Sequence, residues 1–353
     1  MGSVARFLAG ALPPLRQTGR EQAVLVANGN ERGVSAHEAR LVMAPLEGLL
    51  TNGTAARTCM RHIADILLLA TALFYVLGAH PQDASTLRAR ETALREQLAS
   101  NQFHQPLVVE STQTDGALKD DVYAVITQPY SFVGQALNGT DHWCDILMLH
   151  LNVKNCRPRG SGPEGRLSVA VGRKFDQPLE LTSPVEFTYH VAVSDPDYLE
   201  VLLDADAGPL GTKNYHFVFE AVPLDANSSF VHMSYSYAYG MMARVAMHAY
   251  LATIGRDKVG FSVVGHGPDG TPVYVGSVRG VVERNTMRYY LAIKAYLNAY
   301  TLPATEQAET RLRDWFAAVE RYPRQLHELE RDEYLSMKRR ELARQQAMAV
   351  KAN

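Results

Sequence analysis

An alternation of apolar and polar residues with a period of two dominates the middle of the chain, from about residue 151 to residue 240. In one run, Phe187, Tyr189 and Val191 alternate with Thr188 and His190. Successive side chains of a strand point to opposite faces of a sheet, so this pattern is typical of strands with one buried face. Turn-forming residues separate the runs at short intervals. The pattern predicts six consecutive antiparallel strands connected as a meander.

Helical spacing of apolar residues precedes and follows these strands. Leu87, Leu94 and Leu98 form the apolar stripe of an amphipathic helix within residues 80–104. Two extended runs come next, followed by a pair of short helices in PYSFVGQALNGTDHWCDILMLH. After the meander, MMARVAMHAYLATI is apolar around most of its circumference, which predicts a buried helix. The segment VERNTMRYYLAIKAYLNAY predicts an amphipathic helix, and residues 301–353 predict two more helices with a frayed end.

The sequence GHGPDG, residues 265–270, matches the glycine pattern of dinucleotide-binding proteins. In those proteins a helix begins within the glycine loop, so that its backbone amides face the pyrophosphate. Here the residues Pro268, Asp269 and Gly270 form a turn signal and lead into the extended run TPVYVG. We therefore expect a hairpin loop, and no cofactor is predicted.

An apolar run over residues 63–79 follows Met60 and has the order of features found in a secretory signal peptide. It is shorter than the roughly 20 apolar residues that cross a bilayer, and it ends in small residues just before His80. Residues 1–59 show no sustained period. We expect residues 1–59 to be a non-native or disordered extension and residues 60–79 to be a signal-like segment, which would make the mature protein periplasmic or secreted. The alternative is an irregular N-terminus followed by a core or anchoring helix, in a membrane-anchored or cytoplasmic protein.

The composition is that of an ordinary globular protein, with 46% hydrophobic residues and a formal net charge of −2 over 353 residues. Such a balance provides no general field to attract nucleic acid, so nucleic acid is not an expected partner. Of the three cysteines, only Cys144 and Cys156 lie after the signal-like segment. An even number in an oxidising compartment predicts a disulfide between them, with two buried thiols as the alternative. No cysteine or histidine spacing suggests a metal site.

Two sets of residues are candidates for ligand contacts. Tyr235, Tyr237 and Tyr239 share one face of a predicted strand, where they would either fill the core or line a cavity. Arg284 and Arg288 share one face of the helix that begins near residue 281, and Glu283 and Arg279 lie beside them. These charged residues would form either a solvated helix face or a polar mouth, in which arginine binds a carboxylate or a phosphate.

The histidines His190, His216 and His232 fall in three predicted strands. Their positions in the alternation place them opposite the aromatic face. We therefore expect three solvent-facing histidines rather than a metal site.

The order of elements in residues 105–300 resembles the helix-grip fold of the START and polyketide-cyclase-like (SRPBCC) superfamily. In that α+β fold a curved antiparallel sheet wraps around a long helix and encloses an apolar tunnel. The resemblance rests on element order and on the helical pair between Pro129 and Trp143. Two features depart from it: a hairpin separates two candidate gripping helices, and extra helices follow. The superfamily has no universal catalytic residues, so none is carried over.

The signal-like segment predicts a bacterial-type exported protein. The resemblance implies that this protein binds or transports a hydrophobic or amphipathic small molecule, with a lipid as the first candidate. The candidate ligand-binding residues, chosen from their own spacing along the chain, are Tyr235, Tyr237, Tyr239, Arg279, Arg284, Arg288 and Tyr289. Brief contact with a membrane is compatible with this function. One alternative is a cavity enzyme, a hydrolase or cyclase, with Glu283 as acid or base. Another is an interaction protein with a filled core that binds its partner through the C-terminal helices.

Overall fold

The computed structural model describes residues 83–160, 162–253 and 255–352. The predicted extension, the signal-like segment and Cys59 all lie outside the described residues. The described helices are α1 (Ala84–Ala99), α2 (Tyr130–Leu137), α3 (Thr140–Leu147), α4 (Met241–Ala252), α5 (Ser277–Ala299), α6 (Ala304–Val319), α7 (Pro323–Leu326) and α8 (Arg331–Ala352). None of them is both long enough and apolar enough to cross a bilayer.

The described strands are β1 (Leu107–Thr114), β2 (Ala117–Ile126), β3 (Val153–Arg159), β4 (Glu164–Val171), β5 (Ser183–Ser194), β6 (Leu199–Ala207), β7 (Lys213–Pro223), β8 (Ser229–Ala238), β9 (Val263–His266) and β10 (Pro272–Tyr274). Eight of them form one open antiparallel sheet in the order β1-β2-β8-β7-β6-β5-β4-β3. The six-stranded meander, β3 to β8, is confirmed. Strands β9 and β10 pair with each other, so GHGPDG is a hairpin loop, as predicted.

The two faces of the sheet carry different cores. One face, here called the inner face, packs against α5, which contacts β1, β2 and β8. Helix α1 packs on the opposite, outer face. The side chain of Asp83 caps α1 by accepting a hydrogen bond from the Thr86 amide at 2.8 Å. The leucine stripe of α1 is buried there, as its spacing predicts.

Helix α5 is the gripping helix, and the α+β helix-grip architecture predicted from the sequence is confirmed. A second layer, α6, packs against α5 on its side away from the sheet. On the inner face, Trp143 of α3 packs edge-on against Phe217 of β7, with ring centroids 5.4 Å apart. A disulfide joins Cys144 of α3 to Cys156 of β3, with 5.3 Å between the Cα atoms, and is the pair that the cysteine count predicts.

The prediction that MMARVAMHAYLATI forms a buried helix is wrong. In α4 only Ala243 is buried, while Met241 is 73% exposed and Val245 is 51% exposed. The position over the inner face is occupied by α5, so α4 packs mainly on the Pro209–Gly211 turn and on α5 itself. An apolar circumference therefore did not place this helix in the core.

Candidate functional site

Helix α5 presents three groups of functional side chains in different directions. Tyr289 faces the centre of the inner face, where it meets Tyr235. Glu283 faces β1 and the loop that leads into the β9–β10 hairpin. Arg284 and Arg288 face Tyr250 of α4 and the segment between α7 and α8. The candidate site is therefore built around one helix rather than along one strand.

The tyrosines of β8 form an aromatic wall on the inner face. The ring centroids of Tyr235 and Tyr237 are 5.6 Å apart, and Tyr237 stacks on Tyr215 of β7 at 5.4 Å. Tyr289 of α5 completes the wall, 5.5 Å from Tyr235. Tyr239 continues the same side of the strand and is also buried. The predicted stripe and Tyr289 are thus brought together, and we call these residues the tyrosine wall.

Three hydroxyl groups of the tyrosine wall have no protein partner in the described part of the chain. No described residue forms a hydrogen bond with the hydroxyl of Tyr235, Tyr237 or Tyr289, whereas the hydroxyl of Tyr215 donates to Thr212 Oγ1 at 2.7 Å. Burial raises the pKa of each of these three phenols, so they are neutral donors. A buried tyrosine hydroxyl usually finds a partner. Three that do not are positioned to bind a polar group of another molecule.

The second group is a cluster of cations that we call the basic cluster, comprising Lys174, Lys258, Arg284 and Arg288. Both arginines are buried. Arg288 donates to Glu328 at 2.9 Å, and Lys174 also pairs with this carboxylate. No described carboxylate pairs with Arg284, whose Nη1 donates to the Val259 carbonyl at 3.2 Å.

Burial and neighbouring charges shift the pKa values of the groups in and around the basic cluster. Burial alone would raise the pKa of Glu328, but Lys174 and Arg288 lower it to about 2. Burial lowers the pKa of Lys174 to about 7, against the opposing effect of Glu328. Burial also lowers the pKa of His150 well below its ordinary range, and Arg288 adds to that shift. His150 is therefore neutral, and it stacks on Tyr289 with ring centroids 4.5 Å apart. This imidazole connects the basic cluster to the tyrosine wall.

Glu283, the candidate acid or base, is fully engaged in hydrogen bonds. Its carboxylate accepts from the hydroxyl of Ser111, from the amides of Phe261 and Ser262, and from the Ser262 hydroxyl at 2.7 Å. Gly260 makes this approach possible, because a Cβ there would lie 2.5 Å from Glu283 Oε2. A carboxylate held by this many donors joins β1, the loop and α5. This geometry argues against general acid or base catalysis by Glu283.

Arg279 does not join the other two arginines. Its Nε donates to Ser111 Oγ at 2.6 Å and lies 4.0 Å from Glu283, on the β1 side of α5. The structure therefore does not bring all three arginines together around one polar head. Arg284 and Arg288 share the basic cluster, and Arg279 supports Glu283.

Asp120 is a buried acid that the sequence analysis did not single out. It lies on the inner face of β2, in register with Ser111 on one side and Tyr235 on the other. Neither of its oxygens accepts a hydrogen bond of normal geometry from a described residue. Burial raises its pKa well above the ordinary value, and the neighbouring Glu283 adds to the shift. Asp120 therefore brings a neutral carboxylic acid to the edge of the tyrosine wall.

The prediction of three solvent-facing histidines holds for two of them. His190 and His216 are half exposed, but His232 is only 3% exposed. It lies on the outer face between Asp121, 2.9 Å from its Nε2, and Glu220 at its Nδ1. Helix α1 and Tyr198 contribute to the core that covers this face, which explains its burial. The alternation placed His232 on the correct face, but it could not show that a helix covers that face.

Comparisons with known proteins concern the fold. No protein-family model matches the sequence, and no curated protein matches it. Among solved structures, the chain is similar to truncated norcoclaurine synthase from Thalictrum flavum, with 14% identity and a TM-score of 0.27 over 42% of this chain and 87% of that one. It is similar to the Zhui aromatase/cyclase from Streptomyces sp. R1128, with 9% identity and a TM-score of 0.27 over 61% of this chain and 96% of that one.

The chain is also similar to a START superfamily protein from Mycobacterium smegmatis, with 12% identity and a TM-score of 0.23 over 42% of this chain and 95% of that one. The order of elements and the sheet topology form a helix-grip arrangement, in which an antiparallel sheet packs against one long helix. The roles of residues follow from the contacts described above and not from these proteins.

Proposed function

We propose that the protein binds an amphipathic small molecule between the inner face of the sheet and α5. The observation that carries this proposal is the set of three hydroxyls, on Tyr235, Tyr237 and Tyr289, with which no described residue forms a hydrogen bond. The side chains of Tyr235 and Tyr237 are buried, and that of Tyr289 is half-buried. The aromatic rings supply apolar contact area, and the hydroxyls supply hydrogen bonds that only a polar group can complete. An apolar site with a few convergent polar groups is typical of small-molecule binding.

The test is calorimetric titration of the full chain with octan-1-ol, which has an apolar tail and one hydroxyl. We expect saturable one-to-one binding. Tyr235→Phe should weaken it about two- to tenfold, because one net hydrogen bond contributes about 0.5–1.5 kcal/mol. Tyr274→Phe, in the β9–β10 hairpin, is the matched control and should leave binding unchanged. Failure of octan-1-ol to bind would contradict the proposal.

The natural ligand is sought in the purified protein. We propose that it is a lipid, since a long apolar chain suits contact with several aromatic rings. Mass spectrometry of an organic extract should then show one co-purified amphipathic molecule at close to one equivalent, and Tyr235→Phe should reduce its amount. A ligand without an apolar chain would contradict the lipid assignment.

We propose further that the protein is exported. The Cys144–Cys156 disulfide supports this, because disulfides persist in oxidising compartments. Fractionation of native cells, with the redox state of the two cysteines read by alkylation, tests it. Recovery of the protein in the cytoplasm with both thiols free would contradict export. Transient contact with a membrane stays a prediction.

A further inference from the structure

The basic cluster has more positive charge than the described residues around it neutralise. Four cationic side chains, Lys174, Lys258, Arg284 and Arg288, surround a single carboxylate, that of Glu328. The hydroxyl of Tyr250 lies among them, 3.0 Å from Lys174 Nζ and 3.3 Å from Glu328. Buried cations are normally paired, because an unpaired charge in a protein interior is costly.

The donors of this cluster are not all used. The Nε–H groups of Arg284 and Arg288 are buried and have no hydrogen-bond partner among the described residues. Arg284 donates hydrogen bonds to the Val259 carbonyl and to the Tyr250 hydroxyl, and Lys258 donates to the His327 carbonyl, so neither cation donates to a carboxylate. The cluster therefore combines an excess of positive charge with unsatisfied N–H donors.

We propose that the basic cluster binds the anionic head of the amphipathic ligand, and that this head is a phosphate monoester. The inference rests on the proposed function, since the apolar part of the ligand must occupy the tyrosine wall. A phosphate monoester carries close to two negative charges and three strong acceptor oxygens at neutral pH. Because the pKa of Lys174 is about 7, the excess at neutral pH lies between two and three positive charges, which two negative charges match better than the single charge of a carboxylate. Arginine is well suited to phosphate because its guanidinium can donate two parallel hydrogen bonds.

The position of the cluster agrees with this assignment. Arg288 and Tyr289 are consecutive on α5, and the neutral His150 lies against Tyr289 and near Arg288. Consecutive residues of a helix point about 100° apart, so a molecule whose head pairs with Arg288 would pass His150 before its tail reaches the tyrosine wall. Lys174 supplies a further signature, because its pKa of about 7 would rise beside a bound dianion, so binding above neutral pH would take up a proton.

The test is calorimetry of the full chain at pH 8 with four probes that share an eight-carbon tail: octyl phosphate, octanoate, octan-1-ol and octyltrimethylammonium. We expect octyl phosphate to bind at least tenfold more tightly than octan-1-ol and more tightly than octanoate, with octyltrimethylammonium the weakest. Titrations in two buffers of different ionisation enthalpy should show proton uptake with octyl phosphate and none with octan-1-ol.

Three variants assign the effect to the cluster. Arg284→Gln should weaken octyl phosphate at least tenfold and change octan-1-ol by less than twofold. Lys174→Gln, at a less buried position, provides the same test if Arg284→Gln does not fold, and it should abolish the proton uptake. Arg256→Gln removes the same charge from an exposed site and should change neither probe.

The outcomes separate the two proposals. If octyl phosphate binds no more tightly than octan-1-ol, or if octanoate binds more tightly, the phosphate assignment is wrong while the proposed function stands. If octyl phosphate binds tightly but Arg284→Gln and Lys174→Gln leave it unchanged, the head lies elsewhere and the inference is overturned. If none of the four probes binds, the proposed function fails and the inference fails with it.

Discussion

Replacing Glu283 with alanine removes the acceptor that joins β1, the loop at Gly260 and helix α5. The amides of Phe261 and Ser262 would then lose their carboxylate partner inside the protein. An unsatisfied buried donor costs about 1–3 kcal/mol, so two of them give about 4 kcal/mol of lost stability, before any cavity is counted. Glu283→Gln keeps one acceptor oxygen, and the two serine hydroxyls can turn to accept from the new amide group. We expect it to cost only about 1 kcal/mol.

The assay is urea unfolding followed by tryptophan fluorescence, with the free energy of unfolding extrapolated to water. Glu180→Ala, at an exposed carboxylate, is the control and should stay within about 0.5 kcal/mol of the parent protein. A loss below about 1 kcal/mol for Glu283→Ala would refute the structural role. Similar losses for the alanine and glutamine variants would also refute it, because the hydrogen-bond geometry predicts a clear difference between them.

Two further predictions concern stability. Reduction of Cys144–Cys156 should lower the free energy of unfolding by about 3 kcal/mol in the chain-entropy model. Urea titrations with and without a phosphine reductant measure this change, and the control variant Cys59→Ser should show the same change on reduction. A change below about 1 kcal/mol would contradict the prediction. Burial alone would lower the pKa of His232, but hydrogen bonds to its two carboxylate partners raise it above 6.5. A raised pKa stabilises the fold at low pH, and this stabilisation is lost as the pH rises through the folded value. The stability difference between the parent protein and His232→Gln should therefore shrink between pH 6 and pH 9, and a constant or growing difference would count against the charged network.

The sequence predicts the sheet well because the period of two is a local signal. Each strand of the meander has one buried face, so its register follows from neighbouring residues. The same signal correctly placed Tyr235 and Tyr237 on the inner face. It could not show that their hydroxyls lack partners, because that depends on which residues of other elements come close.

The two helices after the meander show the limit of helical pattern. The pattern predicted a buried α4 and an amphipathic α5, whereas the structure exposes Met241 of α4 and buries charged residues of α5 such as Arg284. The apolar pattern records the average cost of contact with water. It does not show where a loop carbonyl, a hydroxyl or a carboxylate from another element forms a hydrogen bond with a charged side chain and so allows that side chain to be buried.

Half of the basic cluster could not be found from spacing along the chain. Arg284 and Arg288 are one helical turn apart, and the sequence identified them. Lys174 follows β4, Lys258 lies in the loop after α4, and Glu328 lies between α7 and α8. These residues are distant in sequence and come from irregular segments, so only the fold brings them together. Asp120 was missed for a different reason: β2 carries two consecutive acids, Asp120 and Asp121, and an acid in a strand usually marks the solvated face.

Helix α5 is 23 residues long, and 16 of them are buried. Its sides are used by the sheet, by α6, by the loop at Gly260 and by the basic cluster, so no side of it is open to free variation. Substitutions on α5 would therefore disturb packing or the site itself, and they offer little scope for a change in binding specificity alone. New binding specificity would have to arise in the loops that surround the helix, while the helix itself stays nearly constant as their common support.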